Sequence, residues 1–337
     1  MSAISRSPAD YTVGWICALP LEMAAAKAML DESHQRLPQP PNDDTIYTLG
    51  SVHGHNIVIA CLPVGVYGTT SAAVIATRMA ISFPALRFGL MVGIGGGVPH
   101  PDTHDIRLGD IVVSKPVGSL GGVVQYDMGK TLPEEHFQRT GALNKPPSVL
   151  LEALATLQAD HMLDGGLSQI PTHLTTMLQR YPAMAARFSH PGAHHDLLFE
   201  SHPPHYPAEQ QQQQPHQPQL IPRPPRASPD PRIHYGLIAS GNQVMRDASK
   251  RDVLARTLEP GQHVLCFEME AAGLMDTFPC LVIRGVCDYA DAQKDKRWQE
   301  YAAAVAAAYA KELLSVLPVR QVWKAEVVRD VIGVGGG

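Results

Sequence analysis

The stretch RFGLMVGIGGGV, residues 87–98, decides the fold class of this chain. Its apolar first part is typical of a strand that is buried on both faces, and the glycines at its end predict a tight turn. Similar patterns lie nearby: VGWICA (13–18) predicts a buried strand, and apolar residues at helical spacing predict a helix over 68–83. Strands that alternate with helices indicate an α/β fold with a largely parallel sheet and ligand chemistry at the strand ends.

The glycines of VGIGGGVP (92–99) allow more than one interpretation. A dinucleotide-binding fingerprint would have to open a helix whose N-terminus receives the pyrophosphate. Here the glycines run into Val98–Pro99–His100–Pro101, which does not start a long helix. We therefore expect the backbone to approach a ligand or a neighbouring chain closely, with a glycine-rich turn that binds no ligand as the alternative.

Composition excludes several classes of protein. The 337 residues carry a formal net charge of -5, and the 27 lysines and arginines are scattered, so neither nucleic acid nor a membrane is an expected partner. The start of the chain lacks the pattern of a signal peptide, and no apolar run approaches the roughly 18 residues of a membrane span. The five cysteines form no CxxC pair and the sixteen histidines form no HExxH motif. We expect a cytoplasmic protein with reduced thiols, no metal site and no cofactor.

One segment differs in composition from the rest of the chain. Prolines, glutamines and histidines dominate residues 190–231, and we expect about 200–231 to be disordered because so few apolar residues are available for burial. Strand patterns resume afterwards with unchanged composition, so the segment interrupts one domain and does not separate two. The predicted organisation is an N-terminal tail (1–10), a single domain (11–317) with an insert at about 190–231, and a C-terminal tail (318–337).

Acidic residues stand where strands are predicted to end. Glu22 lies at the transition from the first strand to the first helix, and Asp288 ends the apolar strand CLVIRGVC. Glu268 and Glu270 flank Met269 in the apolar stretch CFEMEAAGLM, where an ionised side chain is costly without a partner. If Glu22, Glu270 and Asp288 converge, they would suit a site that holds sugar hydroxyls, activates a nucleophile and protonates a leaving base. Spacing alone leaves their convergence open.

Several longer motifs carry a family resemblance. They are VGWICALPLEMAAAKAMLDE (13–32), VGIGGGVP with DIRLGDIVVSKP (105–116), GGVVQYDMGK (121–130), IHYGLIASGNQVMRD (233–247) and the stretch from FEMEAAGLMDTFPC to AYAKELL (267–314). With these motifs, about two thirds of the chain resembles the nucleoside phosphorylase and nucleosidase superfamily. It is most similar to the fungal branch that is often fused to NACHT-type signalling modules. The resemblance implies an α/β fold with a mixed central sheet flanked by helices.

The resemblance also implies roles for individual residues. Glu270 matches the acid that binds the ribose 2′- and 3′-hydroxyls, with Met269 against the sugar face and Glu268 beside them in the substrate site. Asp288 matches the acid that protonates the leaving base at N7, and Arg284 matches the arginine that accompanies this acid.

Further positions are expected to contact the substrate. Gly95 and Gly96 bring backbone against it, and Val244 takes a position that carries a base-stacking aromatic residue in some relatives. Asn242 replaces a frequent aspartate, which leaves the choice of base open.

The nucleophile is the remaining question, and it turns on the loop Ala18–Leu19–Pro20–Leu21–Glu22. Phosphorylases of this superfamily carry G-D-P-x-R there, and a second arginine and a serine where this chain has Met91 and Ile94. A phosphate dianion would lose its charge-assisted bonds at such a site. In the related methylthioadenosine/adenosylhomocysteine nucleosidases the loop ends in a glutamate that acts as general base on water, and Glu22 fits that role.

These observations predict a purine nucleoside N-ribohydrolase that acts on adenosine, inosine or guanosine and uses water as the second reactant. Two alternatives stay open. One is a phosphorylase that binds phosphate through an adjacent subunit or a residue such as Arg78, and the other is a nucleoside-sensing domain of a signalling protein. The superfamily forms dimers, trimers or hexamers, so we expect a homo-oligomer.

Overall fold

A ten-stranded mixed sheet forms the centre of the computed structural model, which describes residues 6–100, 104–133, 137–201, 219–258, 261–331 and 333. The strands in these ranges are β1 (Val13–Cys17), β2 (Glu32–Ser33), β3 (Thr48–Val52), β4 (His55–Cys61), β5 (Phe88–Gly97), β6 (Ile111–Ser114), β7 (Val123–Gln125), β8 (Gly129–Thr131), β9 (Phe137–Arg139), β10 (Ile233–Ser240), β11 (Val264–Glu268) and β12 (Cys280–Asp288). β8 and β9 form a separate two-stranded sheet.

Helices cover the sheet. They are α1 (Pro20–Ala28), α2 (Thr69–Ser82), α3 (Ser148–Leu163), α4 (Ile170–Arg180), α5 (Ala185–Phe188), α6 (Ala248–Thr257), α7 (Gln299–Ser315), α8 (Val319–Lys324) and α9 (Val328–Val331). The predicted helix over 68–83 is confirmed to within one residue at each end. The expected mixed α/β fold with flanking helices is confirmed as well.

The order of the strands places β5 at the centre of the molecule. The main sheet runs β11-β10-β6-β12-β5-β1-β4-β3-β2, with β7 against β10. β5 lies parallel to both β1 and β12, and its end also pairs antiparallel with β11 through Gly96 and Gly97. The strands β5, β12, β6, β10 and β11 therefore close into a ring. The carboxyl ends of β5, β11 and β12 come together at one point of that ring.

The glycines of β5 do not form the predicted turn. The strand continues through Gly97, because the second half of β12 and the end of β11 hydrogen-bond to it on either side. Side chains are excluded there, because β-carbons on these glycines would collide with neighbouring groups. The close approach seen here is between strands of the same chain, and approach to a ligand stays a prediction.

Helix α7 is the most deeply buried helix of the described chain. Residues 300–310 are all buried, and the helix packs on β5, β12 and α1. No single described helix is long and apolar enough to cross a membrane. Only the segments Lys296–Ser315 and Val319–Val331, taken together, pass a test of length and composition, and they are bent by 83° relative to each other.

The insert was expected to be disordered, but the parts of it that the structure describes pack on the domain. Residues 202–218 lie outside the described residues, but both flanks of the insert pack on the domain. Leu198 is buried, Phe199 bridges to Leu220, and Arg226 forms an ion pair with the buried Asp110. The expectation of disorder was wrong for 219–231, because buried carboxylates hold the arginines that the composition made appear solvated.

The predicted C-terminal tail is also packed, as far as Val331. Val322 and Val328 are fully buried, the amide of Val328 donates to the carbonyl of Leu86 at 2.8 Å, and Arg87 donates to the carbonyl of Ala325 at 2.7 Å. The helices of this stretch have only six and four residues, so their apolar residues are too few to show a helical period in the sequence.

Candidate active site

A cavity of about 440 Å³ opens where the carboxyl ends of β5, β11 and β12 meet the start of α1. The acids that the sequence singled out converge here. The lining residues are Ala18, Leu19, Glu22, Tyr67, Ile94, Gly95, Gly96, Gln243, Val244, Met245, Phe267, Glu268, Met269, Glu270, Cys287, Asp288, Ala290, Lys294, Lys296 and Gln299. Convergence, which spacing left open, is thus a property of the fold.

Glu22 is fixed by backbone donors. It is the third residue of α1, and its Oε2 accepts from the amides of Ala18 (2.7 Å) and Leu19 (3.0 Å), which is the acidic half of a capping box and closes back on the helix start. Its Oε1 accepts from the amide of Ile94 in β5 at 2.8 Å. Burial raises the pKa of Glu22, while nearby Arg284 and these amides oppose the rise. The carboxylate is therefore rigidly held and more basic than an exposed glutamate.

Arg284 is the cation at the base of the site, and its partners correct the sequence-based expectation. It is fully buried on β12, and its Nη2 contacts Glu268 and lies 3.4 Å from Glu270 Oε2. Arg284 was expected to accompany Asp288, but that prediction was wrong: residues 284 and 288 are four apart on a strand whose register shifts between Val286 and Asp288. Burial alone would lower the pKa of Arg284, but the neighbouring carboxylates of Glu268, Glu270 and Glu22 outweigh it and raise the pKa, so the arginine stays charged.

Glu268 lines the cavity, but its contacts are with the protein itself. Its side chain accepts from the amides of Glu270 (3.1 Å) and Ala271 (3.0 Å) in addition to its contact with Arg284. The Ala271 amide also lies 3.2 Å from the other oxygen, so four contacts occupy the roughly four accepting sites of this carboxylate and leave little capacity for substrate. Although Glu268 lines the cavity, its contacts fix the turn that presents Glu270.

Glu270 is the acid with acceptor capacity to spare. It precedes the short 3-10 helix Ala271–Gly273 and is only 6% exposed. Burial raises its pKa to about 7, and the charges of Glu268 and Glu22 add to the rise, whereas Arg284 opposes it. Met269 lies beside Glu270 in the cavity wall.

Asp288 is held by groups that sequence reasoning missed. Lys294 Nζ lies 3.0 Å and 3.1 Å from its two carboxylate oxygens, and the amide of Ala290 donates to its Oδ1 at 2.8 Å. Ala290 has a φ of 53°, which turns the chain back sharply. No motif marks a lysine six residues after an acid, since the contact depends on that turn.

Glycine is required at two positions of β5. A β-carbon at Gly93 would fall 2.3 Å from Glu22 Oε1 and 2.5 Å from Arg284 Nη1. One at Gly96 would fall 2.8 Å from the Ala290 β-carbon and 2.9 Å from Asp288 Oδ1. Gly95 and Gly96 both line the cavity, so backbone forms this wall, as expected for a ligand that approaches the main chain closely.

The two residues expected near the base have different positions. Val244 lines the cavity and is half exposed, together with Gln243 and Met245. The side chain of Asn242 points elsewhere: its Oδ1 accepts from the amide and hydroxyl of Thr69, both at 3.1 Å. Asn242 therefore ties this loop to the start of α2 and does not line the cavity, and its assignment to the substrate site stays a prediction.

The described residues contain no group of three or more His, Cys, Asp or Glu side chains arranged to hold a metal ion. The groups of the cavity that can transfer protons or bind hydroxyls are carboxylates. It presents a fixed carboxylate at Glu22, a titrating one at Glu270 and an ion-paired one at Asp288.

Comparisons with known proteins agree with this geometry. The family model described as "Phosphorylase superfamily" matches residues 12–317. An NLR-like protein with a nucleotide-binding and leucine-rich repeat description, from Hyaloscypha variabilis, is 49% identical over 93% of this chain, which spans 30% of that relative's length. The 5′-methylthioadenosine/S-adenosylhomocysteine nucleosidase of Mycobacterium bovis is 26% identical over 91% of this chain and 97% of its own.

A solved structure supports the fold. The nucleosidase of the same description from Neisseria meningitidis, in complex with methylthio-immucillin-A, superposes with a TM-score of 0.55 over 90% of this chain and 98% of its own, at 18% identity. The match of the family model over nearly the whole described domain decides membership. This chain belongs to the phosphorylase superfamily.

Proposed function

We propose that this protein is a purine nucleoside N-ribohydrolase, which cleaves the N-glycosidic bond with water to give free base and ribose. The observation that carries the proposal is Glu22. Three backbone amides fix its carboxylate at the cavity wall, in the position where a phosphorylase would need a cation. A carboxylate has about four accepting sites. One remains for a water molecule.

The remaining groups fit the other steps of such a reaction. Glu22 accepts a proton from the attacking water, and its raised pKa favours that role. Arg284 lies beneath Glu22 without lining the cavity, and its positive charge helps to keep the Glu22 carboxylate ionised and able to accept that proton. Glu270 accepts from the ribose 2′- and 3′-hydroxyls, and Met269 packs against the sugar.

Asp288 passes a proton to the leaving base at N7, and the ammonium group of Lys294, 3.0 Å from Asp288 Oδ1, is the donor in contact that supplies it. Lys294 holds its carboxylate in place and keeps it facing the cavity. Neither adenine nor a 6-oxopurine is excluded by an acid at this position, since both present N7. We propose adenosine as the first substrate to test.

Phosphorolysis is the weaker candidate for this cavity. Among the described lining residues the cations are Lys294 and Lys296, and Lys294 is bound to Asp288. Arg78, which was considered as a phosphate ligand, lies on α2 outside the lining and contacts Asp44. A phosphate dianion would also meet the negative charge of Glu22.

The names of the relatives support a nucleosidase and leave the substrate's 5′ group open. The Mycobacterium protein and the Neisseria structure are described as methylthioadenosine/adenosylhomocysteine nucleosidases. A 5′-thio nucleoside is therefore the second substrate to test. The 49% identical NLR-like protein favours a second candidate function, in which the domain senses a nucleoside within a signalling protein.

The test is chromatography of adenosine, inosine, guanosine and 5′-methylthioadenosine after incubation with the pure protein, with and without phosphate. The expected result is free base plus ribose, or the thio-ribose, in phosphate-free buffer. Ribose 1-phosphate that forms only with phosphate would establish the phosphorylase. A nucleoside that raises the melting temperature but is never cleaved would support the sensing domain.

A further inference from the structure

Tyr289, the residue after Asp288, is held from several directions. It is only 2% exposed, its hydroxyl donates to Asp196 Oδ1, and its carbonyl accepts from Arg251 Nη1 at 2.6 Å. Tyr289 does not line the cavity of the proposed active site. Its contacts therefore hold the chain behind the acid and do not bind substrate.

Two residues that contact the Tyr289 side chain, Asp196 and Arg223, come from opposite flanks of the insert. Asp196 precedes the segment 202–218 and Arg223 follows it. Arg223 Nη2 lies 2.8 Å from Asp196 Oδ2, and its guanidinium carbon lies 5.3 Å from the centre of the Tyr289 ring. The front flank makes a third link through Ser201, whose hydroxyl accepts from Arg251 at 3.1 Å. Both flanks thus meet on Tyr289.

The backbone beyond Tyr289 needs such support. Ala290 has a φ of 53°, a left-handed conformation that a residue with a β-carbon adopts reluctantly. This conformation directs the Ala290 amide to Asp288 Oδ1 and brings Lys294 back to the same carboxylate. If Tyr289 were released, the turn could relax and the carboxylate would lose this orientation.

We propose that Asp196 and Arg223, on the two flanks of the insert, are positioning residues that orient Asp288 through Tyr289. This role rests on the proposed function, in which Asp288 protonates the leaving base. The insert then has a part in catalysis, although it supplies no group to the cavity.

Arg223→Ala tests the proposal, with Arg226→Ala as a matched control. Both arginines lie in the rear flank, are nearly buried and pair with a buried carboxylate, but Arg226 binds Asp110 and does not contact Tyr289. Two substrates are compared: adenosine, whose base must be protonated to leave, and 4-nitrophenyl β-D-ribofuranoside, whose phenolate leaves without a proton.

We expect Arg223→Ala to lower kcat for adenosine about tenfold or more, because misorientation removes part of what a general acid contributes. KM for adenosine and the rate with the nitrophenyl riboside should stay within about twofold of wild type, as measures of an intact site. Arg226→Ala should lower the melting temperature and leave both rates unchanged. Arg223→Lys, which retains the pair with Asp196, should recover part of the loss.

Other outcomes overturn the inference. An equal loss with both substrates would mean that Arg223 only supports the fold, and an unchanged kcat for adenosine would mean that Tyr289 holds the turn unaided. Should Arg223→Ala fail to fold, Tyr289→Phe breaks the link to Asp196 without leaving a buried charge unpaired, and the same comparison decides. Wild-type protein that cleaves none of adenosine, inosine, guanosine, 5′-methylthioadenosine and the nitrophenyl riboside would end the proposed function and this role with it.

Discussion

The three acids of the cavity differ in what lies against each of them: backbone amides bind Glu22, Arg284 lies beside Glu270, and Lys294 binds Asp288. Glu22, Glu270 and Asp288 were identified from their positions at strand ends and from family resemblance, and they line one cavity. Lys294 and the true partners of Arg284 were missed. Their contacts depend on a left-handed turn and on a shift of register within β12, and neither leaves a mark in residue spacing.

Replacing Glu22 by Ala should lower turnover of the nucleoside by about 10²–10⁴-fold, the usual contribution of a general base, and leave substrate binding measurable. Three backbone amides also lose their acceptor, so the free energy of unfolding should fall by about 1–3 kcal/mol. Asp43→Ala is the matched control, because that buried acid accepts from Thr45 and Tyr47 away from the cavity. Single-turnover kinetics and thermal unfolding measure both effects. Turnover that survives at saturating substrate while binding is lost would contradict the role of Glu22.

Glu270 should make substrate affinity depend on pH. Its pKa of about 7 in the free protein lies above the ordinary value of 4.5, so the carboxyl is largely protonated at pH 6 and ionised at pH 8. Two ribose hydroxyls donate to the carboxylate, so binding should release its proton, and affinity should fall as pH drops below 7, by up to about tenfold per unit. Calorimetry in buffers of different ionisation heat detects that proton. Glu270→Gln should abolish the dependence, and a wild-type profile that is flat from pH 6 to 8 would count against it.

The same raised pKa has a consequence for stability without ligand. Between pH 4.5 and about 7 the folded protein binds more protons at Glu270 than the unfolded chain does. Its contribution to stability is therefore fully present at low pH and is lost as pH rises through 7.

Secondary-structure elements were predicted best where the hydrophobic pattern of the sequence extends over a whole helix or strand. Helix α2 shows apolar residues at helical spacing over about four turns, and β12 is the strand that the largely apolar stretch CLVIRGVC predicted. The end of β5 was mistaken for a turn because consecutive glycines signal turns in isolation. Only the pairing of β5 with β11 and β12 keeps these residues extended, and that pairing is non-local.

Helix α9 provides a test of the packed C-terminus, since it carries one buried and one half-exposed valine. Val328→Ala should lower the free energy of unfolding by about 2 kcal/mol, because two buried carbon atoms are lost. Val331→Ala, three residues later and 45% exposed, should change it by less than about 0.5 kcal/mol. Thermal unfolding compares the two. Equal melting temperatures would restore the sequence-based interpretation of residues 318–331 as a tail.

At the scale of the whole molecule, composition marked the insert but could not show which parts of it pack on the domain. Proline and charge dominate 219–231, yet Arg223 and Arg226 reach buried carboxylates that lie over a hundred residues earlier or on the opposite flank. Such partners cannot be found without the fold. The domain limits themselves stay a prediction, as do the oligomeric state and the cytoplasmic location.

Shortening the insert should therefore have a sharply position-dependent effect. The amide of Glu200 donates to the carbonyl of Gln219 at 2.9 Å, so a short Gly-Ser linker can replace 202–218. We expect that variant to keep its melting temperature and turnover, because a loop between adjacent ends changes stability only weakly with length. Removal of 190–231 takes away Asp196 and Arg223 and should impair both. If both deletions behave alike in thermal unfolding and kinetics, the flanks are not the part that matters.

The glycine wall of the cavity bears on how such a site can diverge. Any side chain at position 93 or 96 collides with an acid of the site, so a substitution there abolishes the reaction and cannot change its substrate preference. Val244 stands half exposed at the rim of the same cavity, where a larger or smaller side chain meets mainly solvent. New substrate preferences can therefore arise by replacement at the rim while the catalytic centre is inherited unchanged.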